Sequence, residues 1–160
     1  MKTEMHPIGF RKYILMSFRG YRLRLHVWPD GVGTDSRHNH RWWFVSMPLF
    51  GRFLDTRFRE VPASGRYLKI DVADRDGVRD GERSYHLKGE SDLEVVKRKI
   101  RYPLIPYLCR FGEIHSYVPY KPGFHASLVF LGRLRRQTSE IWRDADHLDV
   151  KLEPDAELRD

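Results

Sequence analysis

The sequence predicts an all-β fold, a small barrel or sandwich of short antiparallel strands. Three observations carry that expectation: polar and apolar residues alternate with period two in several stretches, turn-forming clusters separate those stretches, and helical spacing of apolar residues occurs in one interior place. Tyr21–Val27 alternates with Leu23, Leu25 and Val27 on one side, which predicts a half-buried strand whose arginines, Arg22 and Arg24, face solvent. Tyr67–Val72 alternates with Leu68, Ile70 and Val72 inward, and Ser127–Leu134 is a largely apolar run ended by charges. Turns are predicted at 29–33, 62–65, 74–77, 80–81 and 119–123, each rich in Pro, Gly or Asp. The helical candidate begins at Ser91, where Ser91-Asp92-Leu93-Glu94 has the form of a capping box and Leu93, Val96 and Ile100 fall near one face. Residues 94–102 also alternate as a strand would, so the prediction allows at most one or two short helices.

The chain has 160 residues, the size of one domain. With 41% hydrophobic and 13% aromatic residues it has material for a packed core, which excludes disorder over most of its length. We expect one domain over residues 1–142, its core from about 21 to 142, followed by an acidic tail at 143–160. The single cysteine, Cys109, permits no internal disulfide and no Cys-x-x-Cys site, and reads as a small core residue. The first residues lack a signal-peptide pattern and no long apolar run exists, so a cytoplasmic protein without a membrane span is expected. The net charge is +7, and because the tail carries −4 the preceding residues carry +11. Nucleic acid is nonetheless a disfavoured partner, since Trp28 and Trp43 are the only good candidates for exposed aromatics interleaved with the arginines.

The strongest local signal is Asp35-Ser36-Arg37-His38-Asn39-His40-Arg41-Trp42-Trp43-Phe44. On a strand, residues i and i+2 share a face, so His38 and His40 present two imidazoles together, and the same parity runs inward through Trp42, Phe44 and Ser46, the candidate substrate-pocket residues. A second segment, Cys109-Arg110-Phe111-Gly112-Glu113-Ile114-His115-Ser116-Tyr117, places Cys109, Phe111, Glu113, His115 and Tyr117 on one face if it is a single strand. Ionisable groups on such a face need a metal or a hydrogen-bond network, which makes His115 the third candidate ligand. Glu113, Tyr117 and His125 complete the candidate catalytic set, His125 as a proton-transfer base or a rim histidine. His86 reads as structural, and His6, His26 and His147 as surface.

His38-x-His40 in a segment ending at Gly51, with Gly112-x-x-His115 downstream, resembles the two motifs of the cupin superfamily over roughly residues 21–142. The resemblance implies a double-stranded β-helix, or jelly-roll barrel, with histidines from both motifs holding one metal inside. Cupins usually carry a glutamate four or five residues after the second histidine, where this chain has Phe44 and Val45. The usual proline before the glycine is Arg110, and the usual asparagine after the histidine is Pro119. Three outcomes fit: a three-histidine site similar to that of the thiol dioxygenase branch, Glu113 as a replacement carboxylate ligand, or a barrel that has lost its metal. Cupins are commonly dimers, and an outward-facing Trp28 or Trp43 would suit a homodimer interface.

The expected cofactor is thus one divalent metal ion, Fe(II) by preference, with Zn, Ni or Mn as alternatives. The expected activity is oxidation by O₂ of a small anionic or aromatic organic molecule. A non-redox isomerase, epimerase or lyase using the metal as a Lewis acid is the alternative, and a non-catalytic ligand-binding barrel the third.

Overall fold

The computed structural model describes residues 2–6, 9–62, 65–74, 83–146, 148 and 151–152. The turns expected at 75–77 and 80–81, the middle of the 62–65 turn, the side chain of His6, His147 and the tail from residue 153 lie outside that set. Twelve strands and no helix are present among the described residues: β1 (Lys2–His6), β2 (Phe10–Phe18), β3 (Tyr21–Trp28), β4 (Arg37–His38), β5 (Phe44–Phe50), β6 (Phe53–Val61), β7 (Tyr67–Asp74), β8 (Arg83–Arg101), β9 (Tyr107–Cys109), β10 (Ile114–Pro119), β11 (His125–Leu131) and β12 (Thr138–Asp144).

Two antiparallel arrays result. One is a sheet in the order β1-β2-β3-β11-β5-β9, and the other a ring in the order β10-β4-β12-β7-β8-β6. From β3 to β6, and again from β9 to β12, successive strands alternate between the two arrays, while β7 and β8 form a hairpin within the ring. The neighbours β3-β11-β5-β9 on one side and β4-β10-β6-β8 on the other are those of a jelly roll, the double-stranded β-helix that the resemblance in sequence implies. The hairpin β1-β2 extends the first sheet ahead of the predicted core.

Strand β8 explains both the ring and the failed helix. Its first half pairs with β7 up to Ser91 and its second half pairs with β6 from Asp92 onward. The side chains that would cap a helix serve distant segments instead: Ser91 Oγ accepts the Trp142 indole N–H at 2.9 Å, and Asp92 Oδ1 accepts the Arg66 amide at 3.2 Å. With the β-branched pair Val95-Val96 next to it, the strand reading prevails.

The core lies between the arrays. Trp42, Phe44, Tyr107, Cys109, Val129 and Leu131 form one cluster, Phe10, Trp28 and Phe53 another, and Tyr117 packs against both. Each such aromatic side chain contributes on the order of 1.5–3 kcal/mol by leaving water. Trp28 is 2% exposed, so its expected outward face is corrected. The orientation of β3 is corrected with it: Arg24 is buried and, with His26 and Trp28, points into the interior, while Leu23, Leu25 and Val27 take the opposite face. The interior of this strand is the polar face because it lines a cavity rather than a dry core. His26, expected at the surface, stacks on Phe10 with centroids 4.4 Å apart.

Candidate metal centre

Strand β4 is only two residues long, and its position makes the site. His38 pairs with His115 of β10 on one side and with Ile141 of β12 on the other. A cross-strand pair of this kind sets two side chains next to each other on one face. His40 follows in the coil before β5, held by the residue that separates it from His38. The Asn39 amide donates to Glu140 Oε2 at 2.6 Å, its carbonyl oxygen accepts the Glu140 backbone amide at 2.8 Å and also accepts from Arg136, and the Asn39 backbone N–H donates to the Glu140 carbonyl at 3.0 Å. Just beyond, Arg41 is fastened by Asp74 at 2.8 and 3.2 Å. Asn39 and Arg41, on either side of His40, are thus tied to Glu140 and Asp74 and hold the backbone from which the two histidines project.

One ligating nitrogen from each of His38, His40 and His115 lies within 4.8 Å of the others. His40 Nε2 and His115 Nε2 are 3.0 Å apart, as expected for two nitrogens bound to one ion at about 2.0–2.1 Å each. His38 Nδ1–H donates to the Ser36 carbonyl at 2.8 Å, and His115 Nδ1 faces Asp55 Oδ1 at 3.5 Å. Both contacts leave Nε2 as the free lone pair, the arrangement that orients histidine ligands. The donor set therefore fits a divalent metal: three neutral nitrogens converge, and two are oriented from behind.

Burial pushes the His38 imidazole down to about 3, His115 adding to the effect and the Ser36 carbonyl opposing it. His115 is lowered too, first by burial, against the opposing hydrogen bond to Asp55. Neutral imidazole is the form a metal requires. In the unfolded chain these groups protonate near 6.5, so as pH falls from about 6.5 toward 3 the unfolded state binds more protons and stability is lost. Metal-free protein is expected to lose about 1.4 kcal/mol per pH unit for each such proton. Urea midpoints measured between pH 6.5 and 4.5 check this, and a flat midpoint would contradict it.

Behind His115 stands a carboxylate that sequence reasoning passed over. Asp55 is 1% exposed and accepts from Arg57 at 3.0–3.2 Å and from the Arg101 Nε–H at 2.9 Å. Burial alone would raise its pKa, but His115, Arg57 and Arg101 hold it at about 2. Arg57 also donates to Glu113 at 2.7 Å and reaches Cys109 Sγ at 3.2 Å. The thiol is buried and pushed up to about 12 by that burial, which leaves it an inert core residue.

The other predicted site residues divide. Trp42, Phe44, Ser46 and Tyr117 line a cavity of about 390 Å³ together with the three histidines. Burial raises the Tyr117 and Tyr107 phenols, and the Tyr117 and Ser46 hydroxyls are buried without a hydrogen-bond partner. Glu113 is not brought into the cluster. A turn at Gly112, whose φ of +77° favours glycine, breaks the single strand expected over 109–117, putting Cys109 on β9 of the sheet and His115 on β10 of the ring. The Glu113 carboxylate instead accepts from Arg57 and, at 2.7 Å, from the Arg110 amide. We expect Glu113→Gln to keep its metal within about twofold, as checked by elemental analysis, because neither bond is to a ligand. A loss like that of a histidine variant would restore Glu113 to the ligand set. His125 is also elsewhere: buried under Gly51, it donates Nδ1–H to the Gly123 carbonyl at 2.8 Å and meets Phe53 edge-on. Gly51 has φ +73°, and a Cβ there would lie 2.1 Å from the His125 ring.

No protein-family model matches the chain, and no curated protein is similar enough to count as a relative. Among solved structures, peruvianin-I, a cysteine peptidase from Thevetia peruviana latex, is similar at 13% identity and a TM-score of 0.49, over 85% of this chain and 68% of that one. KdgF from a Halomonas species is similar at 12% identity and a TM-score of 0.35, over 83% and 89% of the two chains. Overlaps this loose decide nothing about chemistry. No described helix is long and apolar enough to cross a membrane.

Proposed function

We propose that the chain is a metal-dependent oxygenase of the cupin type, with Fe(II) held by His38, His40 and His115, acting with O₂ on a small anionic or aromatic organic molecule. The observation that carries the reading is the convergence of three imidazoles that no carboxylate joins among the described residues. Asp55, Glu113 and Asp74 are committed elsewhere, Asp55 to Arg57 and Arg101, Glu113 to Arg57, and Asp74 to Arg41. Three neutral ligands leave a dipositive ion its full charge and open positions, which favours an anionic co-ligand and suits O₂ chemistry when the bound metal is redox-active.

The chain's own residues supply the rest. Ser36 and Asp55 orient two of the imidazoles, and Phe44 closes over the cluster, its ring 4.8 Å from that of His40 and 5.8 Å from that of His115. Trp42, Phe44, Tyr107 and Tyr117 give part of the cavity wall a flat apolar character that fits an aromatic body. The raised phenols stay protonated, so Tyr117 and Tyr107 act as hydrogen-bond donors rather than bases.

The test is oxygen uptake by protein loaded with iron and, separately, with zinc, against a panel of small aromatic and aliphatic acids. Uptake that depends on both iron and one of the acids is expected. Equal conversion of an acid by the zinc form, without uptake, would overturn the oxygenase in favour of Lewis-acid chemistry.

A further inference from the structure

Hydroxyl groups gather where the sheet faces the ring. The buried residues of β5 are Phe44, Ser46 and Pro48, so a serine stands where an apolar side chain would complete the wall. Strand register puts Ser46 directly across from Tyr107 of β9, and Tyr117 of β10 comes from the ring to lie beside Tyr107, the ring centroids 5.7 Å apart. All three residues line the cavity. Ser46 is 1% exposed, and neither its hydroxyl nor that of Tyr117 has a hydrogen-bond partner in the protein, although both oxygens are buried. The tyrosine rings are held from behind: Phe53 stacks on Tyr117 at 4.4 Å, and the Arg101 guanidinium carbon lies 4.2 Å from the Tyr107 ring centroid. A buried hydroxyl without a partner costs stability, and an apolar group of the same shape would be neutral or better for folding. These hydroxyls are therefore of use to a ligand rather than to the fold.

The surroundings set the charge of the group they receive. Among the described residues, β5, β9, β10 and β11 contribute no Asp, Glu, Lys or Arg to the cavity lining. Behind the tyrosines the charges balance: Asp55, directly across from Tyr117 in register, and Glu113 are matched by Arg57 and Arg101. An ion brought here would give up its water without a counter-charge. An uncharged hydroxyl gives up far less, and it both donates and accepts, as the serine and tyrosine hydroxyls do.

We propose that Ser46 and Tyr117, with Tyr107 beside them, bind an uncharged hydroxyl group of the substrate at the end away from the histidines. This rests on the reading of the cavity as a substrate site and adds the functional group that the site selects. Phe44 stands between the two ends: its ring centroid is 4.8 Å from that of His40 and 6.4 Å from that of Tyr107. A flat molecule laid along Phe44 presents one group to the histidines and its hydroxyl to Ser46 and Tyr117. Selection comes from the penalty on the wrong molecule, because an analogue without the hydroxyl leaves both protein hydroxyls buried and unpaired.

The test uses three probes of similar shape, phenol, toluene and benzoate. Trp28 lines the cavity with its ring centroid 6.2 Å from that of Tyr117, and its fluorescence reports binding. Phenol is expected to bind about tenfold or more tightly than toluene. Ser46→Ala and Tyr117→Phe are each expected to cut that preference by about threefold or more, through weaker phenol binding and equal or stronger toluene binding, with benzoate affinity held within about twofold. The urea midpoint of each variant is expected to stay at or above that of the wild type, because no protein partner is lost. Phenol that binds no tighter than toluene, or not at all, would overturn the subsite. So would a phenol preference that survives both substitutions, which is what coordination to a metal would produce. Benzoate affinity that falls along with that of phenol would overturn the assignment to an uncharged group, and a lowered urea midpoint in either variant would assign the hydroxyls to the fold instead. Because none of these readouts needs turnover, failure of the oxygenase reading shows separately, in the uptake assay.

Discussion

Replacing His40 with alanine is expected to abolish metal binding while the barrel stays folded. His40 lies in coil between β4 and β5, outside the strand pairings that build the two arrays. Its Nε2 stands 3.0 Å from His115 Nε2, so the alanine variant removes one of the three candidate ligands and leaves two. Loss of a group that merely orients a ligand costs about 10–100-fold in metal affinity, and loss of the ligand itself costs at least as much. Bound metal should fall at least tenfold, with a circular dichroism spectrum close to that of the wild type. Full metal occupancy in the variant would show that the ligand set is wrong.

The largest effect on stability is expected at Asp55. Its carboxylate holds Arg57, Arg101 and His115 Nδ1 together in the interior. Asp55→Ala leaves two guanidinium groups and an imidazole N–H facing a void, and loss of one partner from a buried charge cluster costs about 3–5 kcal/mol. Asp55→Asn keeps the volume and one acceptor, so it should be milder for folding. It removes the charge behind His115, and metal affinity should fall about 10–100-fold. Urea unfolding and metal titration of the two variants check both parts. An alanine variant within about 1 kcal/mol of wild type would mean that the cluster does not hold the site.

What the sequence made legible is local. The i, i+2 spacing of His38 and His40 survives because it needs only that one short segment be extended, and the period-two runs at β3 and β7 mark strands wherever they pair. Which face of a strand turns inward is a tertiary matter. Arg22 and Arg24 alternate with leucines and so read as solvent-facing, yet Arg24 lines a polar cavity and the leucines take the other side. Asp55 was hidden for a related reason: Leu54-Asp55-Thr56 looks like any half-exposed strand, and its partners Arg101 and His115 are far away in sequence. The capping-box form at Ser91 misled because Trp142 and Arg66, the groups its side chains serve, come from other segments. The break at Gly112 was marked by the glycine itself, since a left-handed turn there forbids the continuous strand that parity alone suggested.

Whether one divalent ion sits on His38, His40 and His115 is decided by X-ray absorption at the metal edge of protein purified without added metal. A stoichiometric metal is expected, with imidazole scattering from three nitrogens at about 2.0–2.2 Å, reduced to background in His115→Ala. A protein that carries no metal and takes up none when iron or zinc is offered, or a metal whose shell lacks imidazole, would contradict it.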